Sequence, residues 1–412
     1  MQQQELIPHL FRTEYRKIIA VLCRQFGMEQ IEVAEDIASQ TFLTASETWG
    51  IKGLPENPTA WLYVAAKNKA KDHLKRNDLF QKKIAPQIKN SSSSELQETD
   101  IDLSEKNIQD SQLQMMFAVC HPSISSESQI GLALRILCGF GIEEIANAFL
   151  SNKETIGKRL TRAKEKLKLE KVKIEFPGEN EISNRLENVL TTLYLLFNEG
   201  YYSAAKDKVV RKELCLEAMR LAHLLTENEN TDLPQVNALL SLMCFHASRL
   251  EARTNDDGEI ILYKDQNTDL WNKELIRQGE YFLNTAAKGN KLSKYHLEAA
   301  IAYRHTQKED TVEKWETILQ LYNHLLQIQY SPAAALNRAY AISKARSKNE
   351  AIKEAEKLDL TGNHLYYSLL ADLYTNIDDE KALHHFQQAL LLSKSAADKK
   401  LISENIRHLK MK

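Results

Sequence analysis

Three groups of side chains in this sequence could do chemical work. The densest lies at 151–173, where nine Lys and Arg stand against three Glu. Cations at helical spacing neutralise phosphates, and in a DNA major groove Arg or Lys suits guanine O6/N7 while Thr meets a thymine methyl. The second group is Lys67, Lys69, Lys71, Lys75 and Arg76, beside Trp61 and Tyr63. There the cations would hold a phosphate backbone and an aromatic face could stack on an unpaired base. Trp61 serves equally well as a core residue, and lysines often do no more than face water, so both readings stay open. The third is Asp256, Asp257, Gly258 and Glu259, a turn signal rich in carboxylates. No Glu closes it at the position an EF-hand requires, so it reads as a structural or regulatory loop and no metal is expected.

Helices must position the first two groups. In GIEEIANAFLSNKETIGKRLTRAKEKLK (141–168), Ile142, Ile145, Ala146 and Phe149 share one face of a first short helix. Ile156, Leu160, Ala163 and Leu167 share one face of a second, basic helix. Between them, Ser151 and Glu154 have capping-box spacing. Two short helices, a tight turn and a positive second helix read as a helix-turn-helix, or as an ordinary helical hairpin with a solvated lysine face. Upstream, residues 5–26 are amphipathic, with Phe11, Tyr15, Ile18, Ile19 and Leu22 inward. A helix from about Val33 to Trp49 follows, with Ala34, Ile37, Ala38, Thr41, Phe42, Ala45 and Trp49 on its apolar stripe. Gly50–Asn57 is a loop, and Asn57-Pro58 starts the basic aromatic helix as N-cap and first helical residue.

Composition narrows the class. The chain has 412 residues, 13 Gly and 8 Pro, and is 43% hydrophobic, which fits an all-α protein of several domains. The net charge is −2, with 24 basic and 22 acidic residues up to Lys173 and 30 and 34 beyond. Any nucleic-acid affinity must therefore come from local clustering. Five Cys without CxxC spacing read as reduced core residues of a cytoplasmic protein. No signal peptide and no apolar run long enough to cross a membrane is present. HExxH, a phosphate loop, a Rossmann glycine pattern and a nucleophile elbow are all missing, so neither an enzyme nor a cofactor is expected.

Between the basic segments, 81–110 carries SSSS at 91–94 and six acidic residues, the composition of a flexible linker. From about 182 onward the sequence reads as eleven successive helices, broken at 252–272 by a non-helical island with a possible strand at Ile260–Tyr263. ALNRAYAIS and LLADLYTNI place Tyr340 and Tyr374 34 residues apart, near a tetratricopeptide period. Stacked helical pairs of that kind usually present a surface for peptides or proteins.

Taken in order, these segments resemble a sigma-70-family initiation factor of the extracytoplasmic-function group. AEDIASQTFLTASETW is similar to the helix that docks on core RNA polymerase, and NPTAWLYVAAKNKAKDHLKR to the segment that opens and reads the minus-ten element. GIEEIANAFLSNKETIGKRLTRAKEKL is similar to the helix-turn-helix that reads minus-thirty-five DNA. LYLLFNEGYYSA, DDGEIILYKDQNTDLWN and the repeated tail resemble a subgroup with a fused C-terminal extension thought to regulate the factor. The resemblance implies sigma region 2 at 1–80, a linker at 81–110, region 4 at 111–173 and an extension at 174–412. It implies polymerase contacts at Asp36, Gln40 and Phe42, the last of which reads equally as core. Minus-ten contacts fall on Lys52, Asn57, Trp61, Lys67, Asn68, Lys71, Lys75 and Arg76. Minus-thirty-five contacts fall on Lys153, Thr155, Lys158, Thr161 and Arg162, while Arg159 could equally brace the fold. The implied partners are core RNA polymerase, promoter DNA and a regulatory protein or signal at the extension. Ser39-Gln40 stands where the family usually has Gln-Glu, and Gly157 where a basic residue is common. A tetratricopeptide adaptor or a one-component DNA-binding regulator are the rival readings. Neither explains a docking-type helix placed ahead of both basic segments.

Overall fold

The first helix, α1 (Gln3–Phe26), is the element around which the N-terminal part is built. A helix with one apolar face buries every third or fourth residue. Here six consecutive residues, Ile18 to Cys23, are each at most 4% exposed, so every face of that stretch is covered. On one side it packs against α2 (Ile31–Lys52) and α3 (Pro58–Ile84). On the other it meets α4 (Glu105–Val119) and a wide π-type turn at Ala133–Leu137 that continues α5 (Ser126–Leu132). Polar groups mark both seams. Tyr63 Oη donates to the buried carboxylate of Glu14 at 2.5 Å, and Arg24 Nη1 donates to Asn107 Oδ1 at 2.8 Å.

The computed structural model describes residues 3–84, 101–149, 151–202, 208–253, 255, 261, 263–393 and 396–411. Among them are eighteen α-helices, short 3-10 turns and no strand, the all-α class that the scarcity of Gly and Pro implies. The chain forms two units, Met1–Glu199 and Gly200–Lys412. Of the acidic segment at 81–110, residues 85–100, with the serine run, lie outside the described residues. Its two ends are helical, in α3 and α4.

The first unit continues through α6 (Ile142–Ala148), α7 (Lys153–Leu169) and α8 (Glu179–Tyr202). Most of α8 falls in this unit and is tied to what precedes it. Gln129, buried in α5, is the bracket. Its amide donates to the carbonyls of His121 and Ile124 at 2.9 and 3.1 Å, and its Oε1 accepts from Thr192 Oγ1 at 2.9 Å. Arg185 Nη2 also donates to the Phe117 carbonyl at 2.9 Å.

In the second unit, α9 (Lys208–Thr226), α10 (Pro234–Ala247), α11 (Lys273–Ala286), α12 (Lys294–Thr306) and α13 (Val312–Ile328) precede the repeat-like tail. The tail comprises α14 (Pro332–Ala345), α15 (Lys348–Glu356), α16 (His364–Tyr374), α17 (Asp379–Leu392) and α18 (Ala396–Lys410). With α8, all eleven helices read from the sequence are present, with ends shifted by a few residues. Tyr340 and Tyr374 fall on α14 and α16, and Leu336, Ala339, Ile342, Ala351, Ile352 and Leu370 pack one shared core. The island differs from its expected form. Tyr263 lies in a 3-10 turn (Tyr263–Asp265), not in a strand, and its hydroxyl donates to the His305 carbonyl at 2.9 Å. Asp256, Asp257, Gly258 and Glu259 lie outside the described residues.

Thr192→Val leaves the buried Gln129 Oε1 without its donor at nearly constant volume. The expected cost is about 1–3 kcal/mol in the unfolding of the first unit, read from a denaturant midpoint. An unchanged midpoint would mean that α8 contributes nothing to this unit through that bond.

Candidate nucleic-acid interface

The first basic surface is built where α2 turns into α3. Gly53, at φ 82°, ends α2 in a conformation that L side chains rarely adopt, with its N–H bonded to the Trp49 carbonyl at 3.1 Å. Asn57 then caps α3 as its spacing predicts, its Oδ1 accepting from the Ala60 N–H at 3.0 Å. Trp61 sits one turn on. It is half-buried, held edge-on against the buried Trp49 at 5.4 Å between ring centroids. That contact anchors the ring on one side. Lys52, Asn57, Asn68, Lys75 and Arg76 are exposed, and Lys67 and Lys71 are half-buried along α3.

On α2, Asp36 and Gln40 are exposed and lie one turn apart on the same stripe. Phe42 does not join them. It is 4% exposed and packs edge-on to Phe11 at 5.1 Å, so it belongs to the core beneath that stripe. The stripe instead continues to Leu43, which is 59% exposed. The sequence carried that signal, a leucine off the buried stripe, and it was missed. Ile51, Leu54 and Val64 add further exposed apolar surface on the adjoining turn and helix.

The second surface is the outer face of α7. Ile156, Leu160, Ala163 and Leu167 are buried as their spacing predicts, leaving Lys153, Thr155, Lys158, Thr161 and Arg162 exposed. The cap is one residue later than expected. Asn152 Oδ1 accepts from the Thr155 N–H at 2.8 Å, whereas the Ser151 N–H bonds the Ala146 carbonyl and closes the preceding helix. Adjacent Ser and Asn are both competent caps, and only the turn geometry decides between them. The acid that does reach back over a helix start is Glu144, whose Oε2 accepts from the Gly141 N–H at 2.7 Å.

Facing α7, the start of α5 completes an open groove of about 560 Å³. Ser123, Ser125 and Ser128 line one side, and Thr155, Lys158, Arg159, Arg162 and Lys166 the other. Arg159 therefore opens on the groove beside Arg162, and the serines add hydroxyl donors that sequence reasoning did not single out. His121 fixes the edge. Burial first, then the charge of Arg185, hold its imidazole below the ordinary value, so Nδ1 stays free to accept from the Ser123 N–H at 3.2 Å. The neighbouring Cys120 is no nucleophile, because burial pushes its thiol up to about 12. All five cysteines are buried and none is in a disulfide.

Two faces thus carry clustered cations, one beside the half-buried Trp61 and one bordering a groove. Comparison with known proteins gives the family. Residues 10–80 match the sigma-70 region 2 model, and residues 185–287 match a family of unknown function, DUF6596. Over 399 residues the chain is 30% identical to an uncharacterized protein of Rhizobium meliloti, across 95% of this chain and 93% of that one. No solved structure matches it. The chain shares a family with that relative over nearly its whole length and belongs to the sigma-70 family, whose region 2 engages core RNA polymerase and promoter DNA. No described helix is long and apolar enough to cross a membrane.

Asn152→Ala removes the cap of α7 and should cost about 1 kcal/mol of local stability. Faster amide exchange confined to the first turn of α7, relative to α2, would register it. Equal exchange in both variants would place the cap elsewhere.

Proposed function

We propose that the protein is an extracytoplasmic-function sigma factor that acts in the cytoplasm and carries a C-terminal regulatory extension. The observation that carries this reading is the sigma-70 region 2 match at 10–80 falling on the loop-and-helix surface of Lys52, Asn57 and Trp61. Asp36, Gln40 and Leu43 form the face offered to core polymerase. The loop and Trp61 receive a base extruded from the minus-ten element, while Lys67, Asn68, Lys71, Lys75 and Arg76 hold the strand behind it. The α6–α7 pair acts as the helix-turn-helix of region 4, Arg162 and Lys158 reading the major groove and the serine side of the groove meeting a phosphate. The four parts are region 2 (1–80), a linker (81–110), region 4 (111–173) and the extension (174–412). The 34-residue interval between Tyr340 and Tyr374, on two successive helical pairs, supports a tetratricopeptide-like tail that receives a regulatory protein or signal. The loop at Asp256–Glu259 stays a candidate for that regulation.

The test is run-off transcription from a linear promoter fragment with core polymerase. Added protein should give a discrete transcript where core polymerase alone gives none. Arg162→Ala should weaken promoter binding and relax selectivity at one base pair, a loss of about 1–3 kcal/mol if its contact is bidentate. DNA binding without any transcript would favour a one-component regulator instead.

A further inference from the structure

The second unit buries two cations that no described carboxylate matches. Arg249 follows the last turn of α10 and Lys314 lies in the first turn of α13, and each is only 7% exposed. A buried charge is costly unless an opposite charge and hydrogen bonds compensate it. Among the described residues neither side chain is in an ion pair. Arg249 Nη2 meets the Nδ1 of His246 at 3.4 Å, and Lys314 Nζ donates to the Gln307 carbonyl at 2.8 Å and to Tyr263 Oη at 3.3 Å. Asp310, four residues before Lys314, has its oxygens taken by Trp315 Nε1 and Lys344 Nζ. The carbonyl end of α10 offsets part of the Arg249 charge, whereas the amide end of α13 adds to that of Lys314.

These groups meet on Tyr263. The Arg249 guanidinium lies 5.5 Å and the Lys314 ammonium 5.7 Å from its ring centroid. Trp271 stacks on the same ring at 6.2 Å, and His305 stands edge-on to it at 5.1 Å. Three buried nitrogens here, Arg249 Nε, Trp271 Nε1 and His305 Nδ1, lack a hydrogen-bond partner among the described residues, as does the acceptor Gln266 Oε1. The first two nitrogens can only donate. The imidazoles add no charge at neutral pH. Burial first, then the charges of Arg249 and Lys314, hold His305 down at about 3, and burial with Arg249 and Arg253 holds His246 well below its ordinary value. The cluster therefore carries two positive charges and more donors than acceptors. Lys314 leads outward from it, lining an open groove of about 500 Å³ with Arg304, Gln307 and Lys308, whose rim also carries Glu309 and Glu313.

We propose that Arg249, Lys314 and Trp271, gathered on Tyr263, bind a phosphate dianion, either free or as the phosphate of a small ester. A dianion equals the two cations in charge, and a guanidinium fork with an ammonium suits its several oxygens. A monocarboxylate leaves one cation unmatched. The rings of Tyr263 and Trp271 offer apolar surface to an organic group carried on the phosphate. Because the site lies in the proposed extension, it names the class of signal that the extension receives. That role rests on the sigma reading; the binding itself does not.

Isothermal titration calorimetry of the full-length protein, at an ionic strength fixed with chloride, tests this with inorganic phosphate and phenyl phosphate. Saturable binding at one site per chain is expected, with acetate about 10-fold weaker or worse. Tighter binding of phosphate assigns the free ion, and tighter binding of phenyl phosphate assigns an ester. Arg249→Gln and Lys314→Gln should each weaken binding about 10-fold or more, while Arg277→Gln, an exposed cation on α11, should leave it unchanged. Trp271→Phe removes the Nε1 donor at nearly constant shape and should cost about 3-fold, which keeps the test decisive if a cation variant fails to fold. No saturable binding of either probe up to about 10 mM would overturn the proposal. So would acetate binding as tightly as phosphate, or unchanged affinity in Arg249→Gln that circular dichroism shows folded. Binding that appears only after Asp256→Asn and Asp257→Asn would also overturn it, by making the chain's own carboxylates the occupant. Transcription without phosphate binding sinks this inference alone, and phosphate binding without transcription sinks the sigma reading alone.

Discussion

The first unit depends on one constraint, the burial of α1 on every side. Ile18 to Cys23 form an uninterrupted apolar run that two faces must cover. Each fully buried side chain of this size contributes about 1.5–3 kcal/mol relative to exposure, far more than any surface ion pair in the unit. Among the helices that surround α1, α2 and α3 carry the first basic surface, while α7, which carries the second, packs on α5 and α6. The core of α1 therefore places the first surface, and Lys164 and Lys168 of α7 pair with Glu35 and Glu32 of α2.

What was legible in the sequence was what periodicity and local capping can express. The apolar stripes of α2 and α7, the Asn57-Pro58 start of α3 and all eleven helices beyond residue 179 follow from spacing alone. Phe42 and Leu43 belong with these, since Phe42 falls on the apolar stripe of α2 and is buried against Phe11, while Leu43 falls off it and stays exposed. The all-round burial of α1 was latent in the run IIAVLC, but a run says only that more than one face is apolar, not which element covers it.

Long-range polar contacts were not legible for a different reason. Gln129 and Thr192 are ordinary helical residues, and the bond between them requires α5 and α8 to be side by side. This bond lies within the unit Met1–Glu199, which includes most of α8. The carbonyls that Gln129 holds belong to His121 and Ile124, which bracket Ser123 on the groove's edge.

The central claim is that the protein converts core polymerase into a form that opens promoter DNA. Permanganate oxidation of unpaired thymines measures this directly. With core polymerase and this protein together, the account predicts a discrete patch of reactive thymines at the minus-ten element, present with neither component alone and lost in Trp61→Ala. A promoter that stays fully paired while both proteins are bound would contradict it.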